Sequence, residues 1–211
     1  MARDSTPDRL VTFTDAVVAI AMTLLVLPLA EVPPSGRRLP AVLSDDLYTF
    51  GALALSFFVV ARLWWAHHRT FQVVERLSIR VVVADVVWLF TVVLIPAATA
   101  LLPRSYGNGD WDGRLASAVY LATLTASGIA LTVLSSSIHL DPVVSPERGA
   151  ESRRRLVNAA VTAVVFAIAL AIGATVPYAG ESGLVLLFVT GPVERRIDRR
   201  LGRRDLSAPA A

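Results

Sequence analysis

Apolar residues in this chain come in long runs separated by short polar stretches, without the period-two alternation of a half-buried strand. A bilayer-spanning helix needs about 20 mostly apolar residues at a rise of about 1.5 Å each, and six segments qualify as candidates. The first runs from Leu10 to Ala30 and is stopped by Glu31 and Pro33-Pro34, where the missing N–H groups and fixed φ end a helix. The second runs from Asp46 to His68, the third from Val81 to Leu102 with Pro96 inside it, the fourth from Leu115 to Leu140 and the fifth from Leu156 to Val176. The sixth follows Pro177, is interrupted by Glu181 and Ser182, and is cleanly apolar only from Gly183 to Val193, so it either crosses the membrane or re-enters it. The pattern predicts an all-α integral membrane protein with six transmembrane helices over residues 1–193. An Arg-rich cytoplasmic tail, residues 194–211, lies on the membrane surface beyond them.

Composition supports this reading and removes several kinds of chemistry. Of the 211 residues 55% are hydrophobic and 18% charged, too apolar for an ordinary soluble domain. The absence of cysteine excludes a disulfide scaffold, a thiol nucleophile and any Cys-ligated metal site. Every basic residue is an arginine, and the arginines fall between the apolar runs and after the last one, which argues for orientation in a bilayer and against a nucleic-acid groove. Arg3, Arg9, Arg69, Arg76, Arg80, Arg148, Arg153 to Arg155 and the arginines of the tail share one side. Only Arg37, Arg38, Arg104 and Arg114 fall on the other, so the positive-inside rule places both termini in the cytoplasm of a multi-pass protein of the cell membrane. The first apolar run is too long for a signal-peptide core and holds Asp15, so it is read as retained.

Ionisable side chains within a span cost about 2.5–3.5 kcal/mol each, so each needs a partner or water. Asp15, Arg62 and Asp85 lie about 9, 10 and 7.5 Å from the cytoplasmic ends of their helices. His67, His68, Trp64 and Trp65 occupy the same slab. A polar cluster is therefore expected to link the first three helices, drawn from Arg9, Asp15, Arg62, His67, His68 and Asp85. It serves either to fix helix packing, with the tryptophans in the interfacial belt, or as a proton relay or ion site. A metal centre is disfavoured because adjacent His67 and His68 point about 100° apart on a helix. Catalysis is disfavoured because no serine or threonine has an evident base and oxyanion donor. On the first helix Thr12, Ala16, Ala19, Ile20, Thr23 and Leu27 share one side, with Leu24 at its margin. Such a stripe either packs closely on another helix or, repeated by several subunits around an axis, makes apolar rings that gate by dewetting.

The run Arg9-x-x-x-Phe13-Thr14-Asp15, continuing from Ala16 through Thr23-Leu24-Leu25-Val26-Leu27, resembles the prokaryotic branch of the transmembrane protein 175 family of potassium channels. Ser56-Phe57, then Trp64 or Trp65 ahead of His67-His68-Arg69-x-Phe71, and Asp85, Pro96 and Thr99 are similar to that family's second and third helices. The resemblance is strong through about Leu102 and weak beyond it. It implies a homotetrameric, potassium-permeable, passive channel whose only partners are its own copies, the bilayer and K⁺ as permeant ion, with no cofactor and no enzymatic activity. It further implies that the first helix of each subunit lines a central pore, that Ile20, Leu24 and Leu27 form the constriction, and that Thr23 supports the selective region. Arg9, Phe13, Thr14 and Asp15 would form a structural motif holding that helix against the next two. Three positions depart from the pattern: Thr14 replaces serine, Asp85 replaces asparagine, and Pro28 falls where the helix usually continues, so a kink or early end is expected there. The alternatives are a proton-coupled transporter using Asp15, Asp85 and His67 or His68, and a non-conducting membrane scaffold.

Overall fold

A computed structural model of the chain describes residues 6–30, 47–105, 111–141, 144 and 150–175. All regular structure among them is helical: α1 Thr6–Leu24, the single-turn α2 Leu27–Ala30, α3 Leu47–Phe71, α4 Ile79–Ser105, α5 Trp111–Leu140 and α6 Ala150–Thr175. Helices α3, α4 and α5 hold the stretches Thr49–Phe71, Ile79–Leu102 and Leu115–Leu140, each long and apolar enough to cross a membrane, and α6 holds the shorter apolar stretch Leu156–Ile168. The expected sixth segment, the Arg-rich tail and Glu31 lie outside the described residues.

The first apolar run is not one continuous helix. It ends at Leu24, passes through a turn in which the Val26 amide donates to the Thr23 carbonyl at 3.2 Å, and resumes as α2. Pro28 has no N–H to offer the Leu24 carbonyl, so the α1 ladder cannot continue through it; near the start of a new helix the missing donor costs nothing. Pro96 acts differently. Helix α4 runs straight through it, with both flanking turns packed in the interior at Ile95, Ala98 and Thr99. Neighbouring helices hold such a proline in place.

Helices α4, α5 and α6 pack on one another in chain order, while α1 lies on α3 and α4. Trp88, Tyr120 and Phe166 are the largest fully buried side chains, one from each of the three consecutive helices. Close approach of α5 and α6 depends on Gly128, where a Cβ would sit 2.8 Å from the Ala163 Cα. Thr14, Val18 and Ala21 of α1 and Leu25 of the turn that follows are buried, at steps of four, three and four residues that make one stripe. On the opposite side of α1, Thr12, Ala16, Ala19, Ile20, Thr23 and Leu24 are exposed.

Candidate functional site

The buried stripe of α1 brings Thr14 to Asp85 of α4, and α3 brings His67 to the same carboxyl group. Thr14 Oγ1 donates to Asp85 Oδ2 at 2.8 Å, and His67 Nε2 lies 2.6 Å from Asp85 Oδ1. All three residues are fully buried. The His67 ring stacks on Trp88 with centroids 4.2 Å apart and planes within 8°, and Phe71 approaches it at 4.7 Å. Local helix geometry supplies these neighbours: Trp88 is one turn beyond Asp85 on α4, and Phe71 one turn beyond His67 on α3. Among the described residues, His67 Nδ1 and Trp88 Nε1 have no hydrogen-bond partner.

A second carboxyl group, one residue along α1, has different partners. Trp64 Nε1 donates to Asp15 Oδ1 at 2.8 Å. His68 Nδ1 is 4.0 Å from Asp15 Oδ2, within ion-pair range but too far for a hydrogen bond. Trp64 and His68 are a turn apart on α3, and their rings lie 5.6 Å apart. The adjacent histidines thus go to different carboxyl groups, as their divergent directions on a helix require. This outer pair is about a third exposed, whereas the Asp85 site is sealed.

Of the residues singled out in the sequence, Thr14, Asp15, Trp64, His67, His68 and Asp85 are brought together where α1 meets α3 and α4. Arg62 is half-buried on α3, and Trp65 is exposed beside His68. Arg9 and Phe13, the other two residues of the motif, are exposed. They fall about 140° and 100° around the helix from Thr14, and among the described residues the motif's contacts to α3 and α4 are those of Thr14 and Asp15.

A further polar network lies deeper in the bundle. Thr99 Oγ1 of α4 is 2.9 Å from Ser56 Oγ of α3, which is in turn 2.9 Å from the Tyr120 hydroxyl of α5. Ser56 and Thr99 belong to segments that the sequence had marked. Tyr120 had no such signal beyond being a phenol in an apolar stretch, where a buried hydroxyl needs a partner.

The remaining named residues are exposed along α1 and at the start of α2. Ile20 is 59% exposed, Leu24 44% and Leu27 56%, and Thr23 is exposed between them. Thr23 Oγ1 donates to the Ile20 carbonyl at 2.7 Å, which ties its hydroxyl proton to its own helix and leaves the oxygen able to accept. Thr12, Ala16 and Ala19 share this exposed side.

These features define a helical membrane protein whose first helix is pinned by two carboxyl groups on one side and bare on the other. Residues 9–96 match the family model described as endosomal/lysosomal potassium channel TMEM175. A potassium channel of Streptomyces collinus is 32% identical over 130 residues, spanning 60% of this chain and 61% of that one. A potassium channel of Chryseobacterium sp. strain P1-3 is 34% identical over 133 residues, spanning 63% of this chain and 65% of that one. The chain therefore spans less than two thirds of the length of either relative. The crystal structure of a lysosomal potassium-selective channel TMEM175 homolog from Chamaesiphon minutus shares the fold, with a TM-score of 0.74 at 24% identity, covering 89% of this chain and 97% of that one. Residues 9–96 thus carry the match to the TMEM175 family model, and the fold is shared with a bacterial TMEM175 homolog.

Proposed function

We propose that the protein is a passive potassium-permeable channel, a homotetramer in which the exposed side of α1 from each subunit lines a central pore. The observation that carries this reading is the division of the segment made by α1, the turn after it and the start of α2. Thr14, Val18, Ala21 and Leu25 are committed to the protomer, while Ile20, Thr23, Leu24 and Leu27 are left bare. Around a four-fold axis, Ile20, Leu24 and Leu27 would form apolar rings that close by dewetting, with the Thr23 oxygens between them. Relatives named potassium channels support K⁺ as the permeant ion. Six transmembrane helices per subunit, with both termini in the cytoplasm of a multi-pass protein of the cell membrane, complete the arrangement. No catalytic role is assigned to any residue, and the polar cluster acts by positioning α1.

The test is potassium flux from liposomes holding the purified protein, measured against sodium, beside empty vesicles and Ile20→Asn. Selective, electrogenic flux that rises in Ile20→Asn supports the channel and its constriction; a folded tetramer that carries no ion in either form refutes it.

A second reading, proton-coupled transport, is favoured by one observation: His67 and Asp85 form a sealed ionisable pair, and the other ring nitrogen of His67 is buried with no hydrogen-bond partner among the described residues. It predicts that Asp85→Asn abolishes transport, whereas the channel reading predicts that flux survives.

A further inference from the structure

Helices α4 and α5 leave an open groove of about 730 Å³ between them, with neither Asp15 nor Asp85 in its lining. Its floor is made of small residues, Ala84 and Ala130, and its walls are Val83, Val87, Ile129 and Val133, each more than half exposed. The lining is apolar over most of its length. Arg80 and Ser137 close one end, and Thr91 and Ala126 stand at the other. From Arg80 to Thr91 the helix rises about 16 Å, close to half of a hydrocarbon core of about 30 Å. The groove is therefore one leaflet long and begins at headgroup level.

The charge at that end is positive. Arg80 is exposed in the first turn of α4, where unsatisfied amide groups add to the field of its guanidinium, and Arg76 is exposed four residues earlier. Glu75 sits beside Arg76 on the preceding turn, outside the groove lining, where its amide donates to the Val144 carbonyl. Ser137 donates its proton to the Val133 carbonyl, so the Arg80 guanidinium is the donor that faces an incoming anion. An apolar slot one leaflet deep with a cation at its mouth matches the two parts of one kind of molecule. Basic pockets between transmembrane helices take anionic headgroups for the same reason.

We propose that this groove binds an anionic phospholipid, with one acyl chain against Ala84 and Ala130 and the phosphate on Arg80. The proposal stands apart from ion conduction, since none of its residues belongs to α1 or to the polar cluster. Its test is native mass spectrometry of the full chain in detergent with equimolar phosphatidylglycerol and phosphatidylcholine. The unaltered protein should retain phosphatidylglycerol about five-fold over phosphatidylcholine, the effect of about one basic side chain at a membrane surface. Arg80→Gln should bring the two lipids to parity, Arg80→Lys should keep part of the preference, and Ala126→Trp should reduce retention of both. Equal retention by the unaltered protein, or a preference that survives Arg80→Gln, overturns the proposal. Should Arg80→Gln fail to fold, unchanged phosphatidylglycerol retention in Ala126→Trp overturns it instead. A second copy of the chain in the groove would also overturn it. Because the protein has no cysteine, Val133→Cys would reveal that copy by cross-linking to a neighbouring subunit.

Discussion

Thr14 and Asp85 are 71 residues apart in the chain and are joined by a buried hydrogen bond of 2.8 Å. Through it the exposed helix α1 is attached to the fully enclosed interior of α4. The Asp85 carboxyl also meets His67, so three helices depend on one side chain. Any change there should be felt first in how α1 is held.

Replacing Thr14 by valine keeps the shape and removes the hydroxyl. The Asp85 oxygen it served is buried, so Thr14→Val should cost roughly 1–3 kcal/mol, the usual penalty for an unmet buried polar group. Thr14→Ser, which keeps the hydroxyl and removes only the methyl group, should stay within about 1 kcal/mol of the parent. Thermal unfolding in detergent checks both.

Asp85→Asn should be mild, because the Thr14 hydroxyl can rotate to accept from the new amide while the carbonyl oxygen still meets His67. Asp85→Leu leaves Thr14 and His67 without a partner and should lower stability by roughly 2–5 kcal/mol, more than Thr14→Val. Potassium flux and thermal unfolding, measured together on the two variants, separate lost conduction from lost fold.

Ala19 and Ala21 differ by two positions and face opposite ways: Ala21 is 1% exposed against the bundle, and Ala19 is on the bare side. Ala21→Leu should overpack the contact and destabilise the protein by about 1–3 kcal/mol. Ala19→Leu should leave unfolding unchanged and reduce flux if that side lines the pore. Equal effects on unfolding would contradict the division of α1.

Gly128→Ala and Gly51→Ala form a matched pair within helices. A Cβ at Gly51 meets nothing within 4 Å, so the better helix propensity of alanine should raise stability by up to about 1 kcal/mol. At Gly128 the Cβ meets backbone at 2.8 Å, and α5 and α6 must separate. That variant should lose about 1–3 kcal/mol, read as a drop in the unfolding temperature.

Much of the site was legible because membrane burial makes ionisable groups conspicuous. Asp15, His67, His68 and Asp85 stand out in apolar runs, and counting helix rise puts them at a common depth. The division of labour among them was not legible. Depth cannot tell that His67 goes to Asp85 and His68 to Asp15, because that depends on how α3 is rotated about its axis against α1 and α4. Nor could it show that Phe13 and Arg9 stay outside the cluster, or that Tyr120 completes a network with Ser56, a residue 64 positions away.

Local rules of the chain settle the helical character of this protein, the positions of its apolar runs and the end of α1 ahead of Pro28. An apolar stretch must satisfy its own backbone in a membrane, and proline lacks the amide that would prolong the ladder. The two-sidedness of α1 required the tertiary structure. Thr14, Ala21 and Leu25 are no more polar or apolar as a set than Thr23, Ala19 and Leu24. In a helix surrounded by lipid and protein alike, hydrophobicity does not separate inside from outside, and only the packing of α3 and α4 against one stripe decides which side is covered. The same holds for the α4–α5 groove, whose alanine floor becomes a slot only when two helices cross at that spacing.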